Sequence, residues 1–248
     1  MLQGRKNLTL DFKIYMCKLY DRQGKHSESQ RNFPVYIFLD VHGVLTDGNE
    51  RKRFLAQMEE RYGMEYEQHN SLWNAHLDRL DKGLEKASEY VSAINKTFHT
   101  HLSVNDYYGM FLKQIKVNKA LMGKLDEIGV KVCIVSDNLL PISTGLNKIL
   151  GQRFQEYRKF YSFQLGVTKM GGMLQGVLKR LETKSGKCLL IDDSKKNIEV
   201  GKEIGIHAIL FKTNRELFLE LEKYFPSKLH FSLKESFEKL DRKIRNMI

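Results

Sequence analysis

The sequence has few cysteines and no long apolar run. Its three cysteines, Cys17, Cys133 and Cys188, lack the spacing of metal ligands. Because their number is small and odd, they provide no disulfide framework. The apolar runs, such as 132–135 and 208–211, are far too short to cross a bilayer. The first twelve residues lack the continuous apolar stretch of a secretory signal. These absences argue against a disulfide-rich secreted module and a membrane protein, and we expect a cytoplasmic one.

Acidic residues are fewer than basic ones, which gives a formal net charge of +11. Such a charge favours anionic partners, whether phosphorylated metabolites, nucleic acid or an acidic surface. The basic residues are spread along the chain without a recognisable nucleic-acid-binding motif, so we expect most of them to lie on solvated helix surfaces. Nucleic acid remains the weaker alternative, and affinity for it would fall steeply with salt.

The pattern of apolar residues predicts alternating strands and helices. A short apolar run at 35–39 ends at Asp40, and four further runs have the length and composition of buried strands: 131–135, 160–164, 188–191 and 207–211. Helical stretches, among them Asn118–Ile128 and Met173–Leu181, separate them. This alternation predicts an α/β fold with a doubly wound parallel sheet.

Two segments fall outside this alternation. Residues 1–33 are polar, with a short stretch of period two that fits either an edge strand or a flexible arm. Residues 49–117 carry apolar side chains at helical spacing and no convincing strand. We therefore predict a core domain of 34–48 and 118–248, interrupted by a small all-helical cap of 49–117.

Polar residues stand where the predicted strands end. Asp40 ends the first strand, Ser136-Asp137-Asn138 the second and Asp192-Asp193 the fourth, while Lys169 lies in the connection after the third. Ligands of open parallel sheets bind beyond the carboxyl ends of the strands, so these groups are expected to converge. Carboxylates at that density suit Mg²⁺, and a hydroxyl and a lysine opposite them suit phosphoryl oxygens. An aspartate so placed is able to form an aspartyl-phosphate.

The order and spacing of these residues resemble the four motifs of the haloacid dehalogenase superfamily across residues 35 to about 220. DVHGVLTDG is similar to its first motif, VCIVSDN to its second, GVTK to its third and LLIDDSKKNIEVGKEIG to its fourth. The resemblance implies a Rossmann-like core, with a substrate-selecting cap inserted after the first motif.

The resemblance also implies a role for each motif residue. Asp40 would be the nucleophile and a Mg²⁺ ligand, and Lys169 would balance charge on it and on the phosphoryl group. Ser136 would hydrogen-bond that group, with Asp137 and Asn138 beside it in the substrate site. The implied metal ligands are Asp40, the backbone carbonyl of His42, Asp192 and Asp193. Lys169 lacks the proline that usually follows the family's lysine, so Lys179 and Lys184 remain alternatives to it.

Position 42 departs from the family pattern. Phosphatases of the family carry there a second aspartate that protonates the leaving group and then activates water, whereas this chain has His42. Three interpretations are open. His42 serves as the acid/base itself, the protein binds its ligand without turnover, or the scaffold performs other chemistry. Dehalogenases of the family also lack the second aspartate, but the Asp192-Asp193 pair implies a metal that they do not need. Asp47 is too far along the loop to be an obvious replacement.

The expected function is Mg²⁺-dependent hydrolysis of a small phosphorylated substrate through an aspartyl-phosphate intermediate. The alternative is a catalytically impaired binding or regulatory protein built on the same crevice.

Overall fold

The computed structural model describes residues 34–225, which fold around a five-stranded parallel sheet. Its strands lie in the order β3-β2-β1-β4-β5, so the strand that leads into Asp40 is central. The strands are β1 (Tyr36–Leu39), β2 (Lys131–Ser136), β3 (Arg158–Tyr161), β4 (Cys188–Asp192) and β5 (His207–Leu210).

The central strands are apolar on both faces because helices cover both. Ile37 and Leu39 of β1 point into one hydrophobic cluster and Phe38 into another, as the period of two requires. Leu39 pairs with Ile134 of β2 on one side and with Ile191 of β4 on the other. The sheet is therefore doubly wound, and the predicted fold class is confirmed.

Helices connect the strands. Those that follow residue 118 are α5 (Lys119–Ile128), α6 (Leu140–Ile149), α7 (Gly151–Glu156), α8 (Ser162–Leu165), α9 (Met173–Arg180), α10 (Lys195–Glu203) and α11 (Asn214–Tyr224), with short 3₁₀ turns at Lys169–Gly171 and Ser185–Lys187. Within residues 34–225 every helix is too short or too polar to cross a lipid bilayer.

Four helices follow β1 before the chain returns to the sheet: α1 (Glu50–Tyr62), α2 (Tyr66–Asp81), α3 (Ala87–Phe98) and α4 (Val104–Leu112). Their inward faces meet in an aromatic cluster of Phe54, Trp73, Tyr90, Tyr107 and Phe111, which is continuous with the apolar cluster on one face of the sheet. The two connections to the sheet run side by side, because Thr46 and Val117 form an antiparallel bridge.

These four helices lie against segments that leave the carboxyl ends of β2 and β3. Gly145 of α6 has no side chain where Leu112 of α4 packs, and a Cβ there would come within 2.2 Å of that leucine. The turn after α2 also approaches α8 closely, because a Cβ on Gly83 would lie 2.7 Å from the carbonyl oxygen of Phe163. The assignment of 49–117 as a separate cap domain stays a prediction.

The third strand differs from its predicted position. The apolar run at 160–164 was expected to be extended, but the strand is Arg158–Tyr161 and the chain turns into α8 at Ser162. Ser162 explains the early end, since its hydroxyl accepts a hydrogen bond from the Asn138 backbone amide at 3.0 Å and ties this turn to the end of β2. The predictions for residues 1–33 and 226–248 lie outside the described residues.

Candidate active site

Asp40 lies directly beyond β1, at the centre of the sheet's carboxyl edge. Its backbone amide extends the ladder by donating to the carbonyl of Ile191 at 3.0 Å, and its Oδ1 accepts from the amide of Val41 at 2.8 Å. The chain then turns sharply, since the amides of Val44, Leu45 and Thr46 all donate to the Val41 carbonyl. This turn fixes the direction of the Asp40 carboxylate.

Lys169 is the cation of the site. It is 1% exposed, and its Nζ lies 3.0 Å from Asp40 Oδ2 and 2.6 Å from Asp192 Oδ2. Burial lowers the pKa of this ammonium, but the charges of Asp40, Asp192 and Asp137 together raise it well above its ordinary value. The structure thus brings Lys169 to the carboxylates that the sequence predicted it to face.

Asp192 and Asp193 differ in their surroundings. The carboxylate of Asp192 is fully buried and occupied, since Lys169, the Ser194 amide and the Asn197 side chain all donate to it. Asp193 is exposed. Burial, together with the charges of Asp40 and Asp192, raises the pKa of Asp193 to about 6. Asp193 therefore keeps oxygens available for a ligand, whereas those of Asp192 are largely taken.

Gly43 allows Asp193 to approach the turn after β1. Its φ is +77°, and a Cβ on it would lie 2.0 Å from Asp193 Oδ2. Both the backbone conformation and the space therefore require glycine.

The residues present fit a hard divalent cation. Asp40, Asp192 and Asp193 each offer one carboxylate oxygen, and these three atoms lie within 4.8 Å of one another. The ammonium of Lys169 compensates only one of the three negative charges. Oxygen donors with unbalanced negative charge are what Mg²⁺ prefers, and the space left by Gly43 keeps the Asp193 carboxylate within the cluster.

The second motif lines the same edge on the β2 side. Ser136 ends β2 and is fully buried. Asp137 Oδ1 accepts from the Lys169 backbone amide at 2.9 Å, and burial raises the pKa of this carboxyl. Asn138 is 2% exposed, and its Nδ2 donates to no group among residues 34–225. A buried amide donor of this kind is normally satisfied, so a ligand oxygen is a natural partner for it.

His42 is held by a residue that the sequence did not single out. Its Nδ1 forms a short hydrogen bond with the carboxylate of Glu50, the first residue of α1, and its ring packs edge-on against Phe111. Burial lowers the pKa of His42, but the hydrogen bond and charge of Glu50, together with the charge of Asp40, leave it raised from its ordinary value. Asp47 is committed elsewhere, because it forms a two-pronged ion pair with Arg53.

Asp81 is a second acidic residue that sequence reasoning missed. It ends α2, and its pKa is raised to about 7 by burial and by the charge of Asp137, against an opposing effect of His42. These electrostatic interactions place it near the second motif. The lysine alternatives lie before β4, whereas the site lies beyond its carboxyl end: Lys179 belongs to the last turn of α9, and Lys184 precedes the 3₁₀ turn that leads into the first residue of β4.

No family model and no curated protein sequence matches this chain. Solved structures do share its architecture. A HAD family enzyme from Bacteroides thetaiotaomicron, in its magnesium complex, is 16% identical with a TM-score of 0.61, over 74% of this chain and 96% of that one. A predicted HAD-like family hydrolase from Porphyromonas gingivalis is 15% identical with a TM-score of 0.61, over 77% and 97%.

A 2-haloacid dehalogenase from Pseudomonas syringae pv. Tomato also matches, at 10% identity and a TM-score of 0.52, over 72% of this chain and 86% of that one. This chain therefore has the haloacid dehalogenase-like fold. Because a dehalogenase and an enzyme crystallised with magnesium and inorganic phosphate share it, the chemistry of this chain must be argued from its own side chains.

Proposed function

We propose that this protein is a Mg²⁺-dependent phosphatase that hydrolyses a small phosphorylated substrate through a phosphorylated Asp40. The observation that carries the proposal is the buried Lys169 ammonium between Asp40 and Asp192, with Asp193 beside them. A dehalogenase has no need of three carboxylates around one cation, whereas phosphoryl transfer uses both a metal and a lysine to neutralise charge.

Asp40 is the proposed nucleophile. The Val41 amide holds one carboxylate oxygen and Lys169 contacts the other, so the side chain has one orientation. Attack on phosphorus forms the Asp40–phosphoryl bond as the bond to the substrate oxygen breaks. Water then displaces Asp40 and releases phosphate.

The phosphoryl oxygens would be bound from the β2 side. Ser136 would donate its hydroxyl, and the Asn138 amide supplies a donor that lacks a partner among residues 34–225. Asp137 orients Lys169 by accepting from its backbone amide. Asp40, Asp193 and the carbonyl of His42 would hold Mg²⁺ directly, with Asp192 acting through water or through Lys169. The ion would neutralise charge on the phosphoryl group and the carboxylates.

The test is hydrolysis of p-nitrophenyl phosphate with and without Mg²⁺. The wild-type chain should require Mg²⁺, and Asp40→Asn should lower the rate by at least about 10³-fold because the nucleophile is lost. Asp47→Asn is the matched control, since Asp47 lies in the same loop but pairs with Arg53. Equal loss in both variants, or full activity in Asp40→Asn, would contradict the proposed mechanism.

The second candidate is a binding protein without efficient turnover, which the histidine at position 42 favours. Beryllium fluoride, a phosphoryl analogue, separates the two functions. Mg²⁺-dependent trapping on Asp40 together with turnover supports the phosphatase, whereas trapping without turnover supports the binding protein. Absence of trapping counts against both.

A further inference from the structure

Glu50 is a buried carboxylate that contacts the residue in the acid/base position of the proposed site. It is 2% exposed although it begins helix α1, where an acidic residue is normally solvated. Its Oε1 accepts hydrogen bonds from His42 Nδ1 and, at 3.0 Å, from the Thr46 hydroxyl. Burying a carboxylate costs free energy, and the position at the helix start alone does not account for the burial of Glu50.

The hydrogen bond determines which nitrogen of His42 faces the crevice. A carboxylate only accepts, so Nδ1 must carry a proton in the pair with Glu50. Nε2 is then the nitrogen that exchanges a proton, and it forms no hydrogen bond with any group of residues 34–225. The His42 side chain keeps 29% of its surface exposed, and Glu50 covers the Nδ1 edge, which leaves the Nε2 edge for solvent or substrate.

Further contacts hold the ring in place. Phe111 of α4 packs edge-on against it at 6.4 Å between ring centroids, and the Thr46 hydroxyl fixes the carboxylate oxygen that the ring contacts. Position 42 follows Asp40 by two residues on a turn whose amides are anchored to Val41. The imidazole thus has a set tautomer and a set orientation beside the nucleophile.

We propose that Glu50 is a positioning residue that makes His42 the proton-transfer group of the site. The inference rests on the proposed phosphatase function. In the first step the Nε2 proton passes to the leaving oxygen as its bond to phosphorus breaks. In the second step Nε2 accepts a proton from the water that attacks phosphorus, and the Asp40 carboxylate is released. Overall, ester and water give alcohol and phosphate, and His42 returns to its starting state.

Two esters of similar shape distinguish this role from a structural one. Phenyl phosphate has a poor leaving group that needs a proton, whereas p-nitrophenyl phosphate needs one much less. His42→Gln should lower kcat for phenyl phosphate by about 10²-fold or more, the usual contribution of acid/base catalysis, and for p-nitrophenyl phosphate by less than about 10-fold. Glu50→Gln should show the same selectivity at about 10-fold, with KM little changed.

A double variant tests whether Glu50 acts through His42. In the His42→Gln background, Glu50→Gln should have no further effect on either ester, because residues acting through one another are not additive. The control is Glu85→Gln, since Glu85 is a buried carboxylate that pairs in the same manner with His76. It should leave both rates within about two-fold, as expected for a side chain outside the proton-transfer path.

The outcomes separate the inference from the proposed function. Equal effects of Glu50→Gln on both esters, persistence of its effect without His42, or the same loss in Glu85→Gln would show a structural role and overturn the inference alone. Failure of the wild-type chain to hydrolyse either ester would overturn the proposed function and the inference with it.

Discussion

At the scale of single residues, the main feature of the candidate site is negative charge that is only partly balanced. Asp40, Asp192 and Asp193 share one ammonium, that of Lys169, and the turn after β1 must leave room for a third carboxylate. Gly43 meets this requirement. The site therefore depends on a residue without a side chain as much as on the charged ones.

Replacing Gly43 with alanine should damage the site more than the fold. The Cβ would lie 2.0 Å from Asp193 Oδ2 and displace that carboxylate, and φ of +77° would add backbone strain. Gly63→Ala is the matched control, because its φ is +63° and nothing lies within 4 Å of its Cβ. Both variants should lose about 1 kcal/mol of unfolding free energy by urea denaturation.

Only Gly43→Ala should also need a higher Mg²⁺ concentration for half-maximal p-nitrophenyl phosphate hydrolysis, by about 10-fold or more, as expected when a ligand or its support is lost. An unchanged Mg²⁺ requirement in Gly43→Ala would show that Asp193 is not a ligand.

The sequence predicts the residues that end strands but misses those that support them. Asp40, Asp192 and Lys169 were predicted to converge because parallel strands end at one edge, and the structure brings them within hydrogen-bonding distance. Glu50 was missed because its contact with His42 depends on the path of the loop 43–49, which brings the start of α1 back to the site. The spacing of apolar residues along the sequence does not predict that path.

At the scale of elements, periodicity predicts the type of an element better than its end. The helical spacing of residues 54–80 correctly indicated helices, now seen as α1 and α2. The run at 160–164 was wrongly assigned throughout as a strand, because an apolar run does not reveal where Ser162 bonds to the neighbouring loop and starts α8. The helices of 50–112 also share one aromatic cluster, against which a buried histidine packs.

Acid should destabilise that cluster through His69 of α2. The side chain is fully buried, its Nε2 lies 2.6 Å from the Tyr107 hydroxyl, and its Nδ1 has no partner among residues 34–225. Burial lowers the pKa of His69 to about 4. Because the folded pKa lies below the unfolded value near 6.5, stability is complete above pH 6.5 and falls as the pH decreases towards 4.

Between pH 7 and pH 5 this group should remove about 2 kcal/mol of unfolding free energy. His69→Gln has no titrating ring, so urea denaturation should show its deficit relative to the wild type shrinking by about that amount over the same range. Parallel pH curves for the two proteins would mean that His69 is protonated in the folded state as readily as in the unfolded one.

At the scale of the whole molecule, a chain of net charge +11 concentrates carboxylates at one edge of its sheet. The strand order produces this concentration, since β1 lies between β2 and β4 and every strand ends on the same side. Folding thus assembles carboxylates that repel one another, and the unfolded chain separates them. A cation that binds only the folded site must then stabilise the entire fold.

Magnesium should therefore raise the melting temperature. At a concentration of about 100 times Kd, the expected gain is about 2.7 kcal/mol, or roughly 5 to 10 °C for a chain of this size. Sodium chloride at equal ionic strength is the control, because a basic protein also responds to salt in general. Asp193→Asn removes both a proposed ligand and a repelling charge. Without Mg²⁺ this variant should melt at or above the wild-type temperature, and with Mg²⁺ it should melt below it, so the order of the two proteins reverses. The same order in both conditions by differential scanning calorimetry would mean that the carboxylates of this edge do not jointly bind the ion.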